Sequence, residues 1–182
     1  MVEELIDKYY PEAGPTHAAL LRHILVTHSR SVADMALDVA HRHPELDADE
    51  QFLWEGAMLH DIGIFLTNAP GIQCFGTEPY IRHGLLGGEL LRREGFPRHA
   101  RVAERHTGTG LTIDTIRQQN LPLPLQDFSP ETIEEQIICY ADKFYSKTRL
   151  EQQKTSEQAL RSLGKFGPEG VQKMQLWMQQ FA

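Results

Sequence analysis

"AMLHDIGIFL", residues 57–66, places an imidazole and a carboxylate side by side in a run that is otherwise apolar. His60 and Asp61 are its ionisable residues, and Gly63 is its other interruption. Phe52, Leu53, Trp54, Ala57, Met58 and Leu59 are apolar almost all round a helix, which predicts a helix at the centre of the fold. Gly63 reads as its stop, so His60 and Asp61 fall in the last turn or just past it. A buried, unpaired carboxylate is costly or shifts its pKa until it is neutral. Asp61 therefore needs a cation, a hydrogen-bond network or exposure at the end of an element.

Outward from this stretch, helical periodicity dominates. Val2 to Tyr10 is short and amphipathic. Thr16 to His43 is long, with an apolar stripe through Leu21, Leu25, Val32, Met35, Ala36 and Val39, and His28 falls on that stripe. The central helix is expected to begin near Asp47, with Glu50 completing a capping box. Ala69 to Tyr80 reads as loop, His83 to Gly95 and Pro97 to Thr107 as helices. Gly108 to Asp127 lacks a clean period and reads as a lid or binding loop. Ser129-Pro130-Glu131 reads as a helix start, and that helix is expected to run through Asp142 to Lys147. Thr155 to Ala182 reads as two short helices broken at Gly164 to Pro168. No strand ladder is evident, so the fold class is all-α.

The 182 residues fit one domain, with a core over about 16–150 and a helical appendage over 151–182. A hydrophobic share of 41% is enough for a core in a chain of this size. The net charge of -7 argues against a general nucleic-acid binder. It leaves room for a small anionic substrate, since a metal or a local basic patch overrides the global sign. No apolar run approaches the ~20 residues of a membrane span, and the acidic start is not a signal peptide. Cys74 and Cys139 do not suggest a disulfide framework, so the cytoplasm is the expected compartment. A homodimer is left open.

His28, the His60-Asp61 pair and Asp142 each sit on an apolar stretch of a different helix, while His83 and His106 sit at helix ends. Taken singly, each has a bland explanation. A lone histidine on an apolar stripe is usually a core histidine with one hydrogen bond, and Asp142 alone could serve a salt bridge or a helix cap. One explanation covers all six: the helices converge and these side chains coordinate metal. Imidazole and carboxylate together suit Fe, Mn, Co, Ni or Zn. The remaining histidines fit structural roles. His41 and His43 lie at a helix C-terminus, His17 and His23 lie off the stripe, and His99 is the competitor of His106 on one helix face.

The ordered set resembles the HD-domain superfamily, whose pattern is a histidine, then His-Asp, then a distal aspartate. Here these match His28 in "THSRSVADMA", His60-Asp61 in "LHDIG" and Asp142 in "CYADK", over about Arg22 to Arg149. One subset of that superfamily adds two histidines, matched by His83 in "IRHGLLGGELL" and His106 in "ERHTGTG". The resemblance implies a compact helical bundle with two divalent ions, Fe or Mn first and Ni, Co, Zn or Mg as alternatives. By it, His28, His60, Asp61 and Asp142 hold one ion; Asp61, His83 and His106 hold the other. Relatives often carry His or Lys after "HDIG", where this chain has Ile64.

Two such metals can acidify a water and neutralise charge on a phosphate ester, so no nucleophilic side chain is needed. The function implied is a metal-dependent phosphohydrolase acting on a nucleotide or other small phosphorylated substrate through metal-activated hydroxide. Asp61, Lys143 and Lys147 are the expected catalytic residues. Arg82, Arg105 and the backbone of Thr107 to Gly110 are further candidates for phosphate contact. A di-iron oxygenase is the alternative, because relatives such as myo-inositol oxygenase use the same ligand types. A non-catalytic binding module fits the complete ligand set less well.

Overall fold

The computed structural model describes residues 1–12 and 16–182. Nine helices follow in order among the described residues: α1 (Val2–Tyr9), α2 (Thr16–Arg42), α3 (Glu50–Leu59), α4 (His83–Arg93), α5 (Pro97–Arg105), α6 (Ile113–Gln118), α7 (Ile133–Asp142), α8 (Ser156–Leu163) and α9 (Pro168–Phe181). The fold is helical, as the periodicity predicts. α3 packs between α2, α5 and α7, and α4 lies along α5. Leu25, Leu53, Leu59, Ile137 and Ile138 are fully buried at this junction. Truncating one of them to Ala would cost about 2–5 kcal/mol. Ala159, Leu163, Met174, Trp177 and Phe181 join the same core, so α8 and α9 pack onto it.

The stretch expected as loop over 69–80 contributes a small sheet. β1 (Thr67–Ala69) pairs antiparallel with β2 (Cys74–Phe75) and parallel with β3 (Glu78–Pro79), in the order β2-β1-β3. Strands of two or three residues are too short to show alternation, which hides them in the sequence. The segment 108–127 also contains a helix. Thr112 caps α6 by accepting from Thr115 N–H, and Ile116 packs with Leu85, Leu111 and Phe128 in a second apolar cluster.

Two helix starts shift from expectation. Asp49 caps α3 by accepting from Phe52 N–H, whereas Asp47 sits at φ 49 ending a 3-10 turn. Thr132 caps α7 in a capping box with Glu135, later than the Ser-Pro-Glu stretch suggested. α7 also ends at Asp142, five residues before Lys147, which puts Lys143 to Lys147 in turns that fold back over the aspartate. Among the described residues no helix is long and apolar enough to cross a membrane.

Candidate metal centre

His28 lies mid-way along α2, His60 ends α3, His83 starts α4, His106 ends α5 and Asp142 ends α7. Asp61 follows His60 in the turn. All six expected ligand residues are brought together. His28, His60, Asp61 and Asp142 form one group, and Asp61, His83 and His106 form a second, with ligand atoms in each group within 4.8 Å of one another.

Asp61 divides its two oxygens between the groups. Its Oδ2 lies 3.2 Å from His28 Nε2 and 3.0 Å from His60 Nε2. Its Oδ1 lies 3.3 Å from His106 Nε2 and 3.5 Å from His83 Nε2. Asp142 Oδ1 closes the first group at 3.0 Å from His28 Nε2.

The helix ends orient three of the imidazoles in one manner. Nδ1 of His60, His83 and His106 donates to the carbonyl three residues earlier, at Ala57 (2.6 Å), Tyr80 (2.7 Å) and Ala103 (2.7 Å). That bond fixes the ring and points Nε2 inward, the arrangement found around metal-ligating histidines. His83 Nε2 and His106 Nε2 stand 3.0 Å apart. With both Nδ1 atoms donating, two neutral rings face each other lone pair to lone pair. A cation held by both rings would resolve that conflict. The buried atoms His60 Nε2, Asp61 Oδ1 and Asp61 Oδ2 have no partner in hydrogen-bond geometry among the described residues. Such orphaned polar atoms fit a divalent metal.

Burial, reinforced by His106, pushes the His83 imidazole down to about 3, so it is neutral at physiological pH. Burial also opposes charge on His60, but Asp61 and Asp142 outweigh it and raise His60 to about 9. A metal at His60 Nε2 must therefore displace a proton. Burial disfavours the charge on Asp61, yet His60 and Lys147 hold its carboxyl well below the usual carboxylate range. Lys147 Nζ reaches 2.6 Å from Asp61 Oδ2. Lys147 thus answers part of the question posed by AMLHDIGIFL. Asp61 already has an ammonium beside it, and a metal is not its only compensation.

Lys143 Nζ donates to His106 O at 2.8 Å and sits 2.7 Å from Asp142 Oδ2, tying the two groups together. The arginines expected as phosphate donors are used elsewhere. Arg82 pairs with Glu78 and donates to Pro122 O, and Arg105 donates to Ser129 O and Glu131. His99 pairs with Glu55 outside the cluster. Ile64, the residue after the His-Asp-Ile-Gly stretch, is fully buried in the core.

Two positioning features were not evident from the sequence pattern. Gly63 has φ -86 and ψ -2, an ordinary right-handed conformation, so it is not a left-handed helix stop. Its glycine is required by contact: a Cβ there would lie 2.4 Å from both Gly87 N and His83 O. Gly84 lies equally close to α5, with a Cβ meeting Ala103 O at 2.5 Å. These glycines seat α4 against the His-Asp turn and against α5, which brings His83 to His106. The second feature is Tyr10, whose hydroxyl donates to Ile62 O at 2.7 Å and accepts from Phe65 N–H, pinning the turn from α1.

Two cavities of about 440 and 510 Å³ open beside the cluster. They share Tyr80, Gly108, Asp142, Lys143, Lys147, Lys165 and Phe166, and the larger reaches His83 and His106.

The sequence model of the HD domain matches residues 25–146. The chain is 35% identical over 128 residues to a tRNA (cytidine(56)-2'-O)-methyltransferase of Picrophilus torridus, covering 70% of this chain and 33% of that protein. A protein of the same name from Thermoplasma volcanium is 35% identical over 67% of this chain and 32% of its own length. The chain thus spans about a third of these curated relatives. An uncharacterized protein of Methanocaldococcus jannaschii is 32% identical over 79% of this chain and 80% of its own. Among solved structures, the HD domain of the L. monocytogenes phosphodiesterase PgpH, in complex with cyclic-di-AMP, superposes with a TM-score of 0.55 at 20% identity, covering 100% of this chain and 85% of that one.

Proposed function

The chain belongs to the HD domain family, and from that premise we propose that it is a metal-dependent phosphohydrolase acting on a nucleotide or another small phosphate ester. The observation that carries this is the division of Asp61, with Oδ2 toward His28 and His60 and Oδ1 toward His83 and His106. One carboxylate serving two imidazole pairs suits two ions, Fe or Mn first by donor type. His28, His60, Asp61 and Asp142 would hold one, and Asp61, His83 and His106 the other. Divalent metal there supplies an acidified water and neutralises charge on phosphate oxygens.

The chain's own residues do the rest. The Nδ1–H bonds of His60, His83 and His106 keep the ligand rings oriented. Lys143 holds His106 and Asp142 in register and keeps a further N–H for substrate. Lys147 faces the same cavity and, once its Asp61 contact is shared with a cation, is placed to take a phosphate oxygen. Its long, flexible stem suits that move. The extent of lysine along this wall favours an anionic substrate, such as a phosphate ester, over an uncharged polar one.

The test is hydrolysis of a panel of mono- and diesters, including nucleotides, read as inorganic phosphate released from monoesters and as alcohol plus monoester released from diesters, by protein loaded with Mn²⁺ or Fe²⁺, with O₂ uptake recorded in parallel. Metal-dependent release, abolished by chelator and by Asp142→Ala, is expected. No release from any ester together with O₂ consumption by the Fe²⁺ form would reject the hydrolase.

A further inference from the structure

The chain has six lysines, and four of them, Lys143, Lys147, Lys154 and Lys165, line the 440 Å³ cavity. For a protein of net charge -7 this is a marked local reversal. The four differ in how they are paired. Lys143 and Lys147 each contact one of the cluster aspartates. Lys154 and Lys165 form no ion pair among the described residues. Both lie beyond the stretch matched by the HD domain model, which ends at residue 146.

Each of these two lysines is held in place. Lys154 N–H donates to Phe144 O at 2.7 Å, and its Nζ donates to Lys143 O at 3.2 Å and Tyr145 O at 3.4 Å. That lashes it to the turn directly after Asp142 and leaves a third ammonium N–H for the cavity. Lys165 sits in the 3-10 turn Gly164–Phe166. Gln119 donates to its carbonyl at 3.2 Å, and the neighbouring Phe166 ring packs against Gly108, where a Cβ would approach it to 3.2 Å. Ser146 and Thr148 add hydroxyls to the same wall. Burial, and then the charges of Lys143, Lys147 and Lys165 working against Asp142, hold the Lys154 ammonium below the usual lysine value. The wall therefore carries four ammonium groups against the two aspartates that pair with Lys143 and Lys147.

We propose that Lys154 and Lys165 form a second anion subsite beside the metal centre, which selects substrates carrying a second phosphate group away from the one that is cleaved. The cavity geometry sets this division. The larger cavity reaches His83 and His106, whereas Lys154, Ser146 and Thr148 line only the smaller one. Lys165 and Phe166 lie where the two meet. One phosphate at the His-Asp cluster leaves Lys154 uncompensated, and a molecule with two phosphates satisfies both places. The proposal rests on the phosphohydrolase reading for the first phosphate, and it gives residues beyond 150 a part in specificity.

The probes are adenosine 3',5'-bisphosphate and adenosine 5'-monophosphate, titrated calorimetrically into Mn²⁺-loaded protein at one fixed ionic strength. Wild type should prefer the bisphosphate by about tenfold or more, as for a charge-assisted phosphate contact in a partly enclosed site. The double variant Lys154→Gln, Lys165→Gln should bring that preference below about threefold. Because Lys154 also bonds two carbonyls, Lys165→Gln alone is measured too; its exposed side chain can change without unfolding the turn, and it should lose part of the preference. An unchanged preference in both variants, or equal weakening of both nucleotides, overturns the subsite. Turnover by wild type of 4-nitrophenyl phosphate and bis(4-nitrophenyl) phosphate, a monoester and a diester, separates the two readings. A lysine-dependent preference without turnover keeps the subsite and rejects the hydrolase. Turnover with a lysine-independent preference rejects the subsite and keeps the hydrolase.

Discussion

α5 carries a buried histidine near its start and another at its end, and the two make opposite use of burial. His99 is 9% exposed, lies edge-on to Phe52 and Phe96, and meets Glu55 Oε2 at 2.9 Å. His106 is 2% exposed and turns its Nε2 toward His83 Nε2 and Asp61 Oδ1. The first histidine has a carboxylate of its own within a local pair. The second shares a carboxylate with three other imidazoles. Burial alone does not tell the two apart. What separates them is whether charge and hydrogen bonding close locally.

The largest test of this contrast is at Asp61. If the cluster binds metal, Mn²⁺ at about a thousand times its Kd should stabilise wild type by about 4 kcal/mol in urea melts. Asp61→Asn should lose most of that gain. Were Asp61 an uncompensated carboxylate in an apolar run, the metal-free Asn variant would be at least as stable as wild type, since a buried charge is gone. Lys147 reverses that expectation. With its ammonium 2.6 Å from Asp61 Oδ2, removal of the carboxylate charge strands a buried cation. The metal-free variant should lose about 3–5 kcal/mol. Asp61→Asn combined with Lys147→Met should recover most of the metal-free stability and none of the metal gain. An Asp61→Asn protein that gains as much from Mn²⁺ as wild type does would break the distinction between the two ends of α5.

Gly63→Ala is expected to cost somewhat less, about 1–3 kcal/mol for an overpacked contact. The added methyl meets His83 O and Gly87 N, so α4 must retreat. His83 and His106 should separate while His28, His60 and Asp142 stay in place. Calorimetry should show the weaker metal-binding step lost and the tighter one changed less than about threefold. Gly71→Ala, with nothing within 4 Å, is the control. Two intact binding steps in Gly63→Ala would mean that this close approach does not position His83.

The sequence was legible where one residue type had one physical use. Long 3.6-residue periodicity located α2, α3, α7 and the break between α8 and α9. Ionisable residues stranded on apolar faces located His28, His60, Asp61 and Asp142, and the order of the histidines added His83 and His106. It was illegible where two uses compete. Gly63 looked like a helix stop because glycine serves both turns and close contacts, and the partner that decides between them, α4, is distant in the chain. Thr132 does not stand out as a cap because Ser129-Pro130-Glu131 offers a similar signal three residues earlier. Lys147 was expected to contact substrate, but nothing local reveals that the turns after Asp142 fold it back onto Asp61. Lys154 and Lys165 lie in polar segments with no pattern, and only the packing of Phe166 and the turn at Phe144 brings them to the cavity.

The smallest expected effect is at the other end of α5, and it completes the comparison. Glu55→Ala removes the carboxylate that His99 meets and leaves a buried imidazole without its partner. The cost of such an orphaned polar group is about 1–3 kcal/mol, and Glu55 is itself partly exposed, with side-chain exposure of 20%, which places the expectation near the lower end. The loss should be the same in chelator and in Mn²⁺, because Glu55 and His99 belong to neither ligand group. The number of metal equivalents bound should also be unchanged. His106→Ala should behave the other way round, with metal-free stability changed by the loss of packing and the metal gain reduced. Melts of both variants with and without Mn²⁺ read this directly. If Glu55→Ala reduces the metal gain as much as His106→Ala does, then His99 communicates with the cluster through α5. The helix would then be a single coupled element, with no division between a structural end and a ligating end.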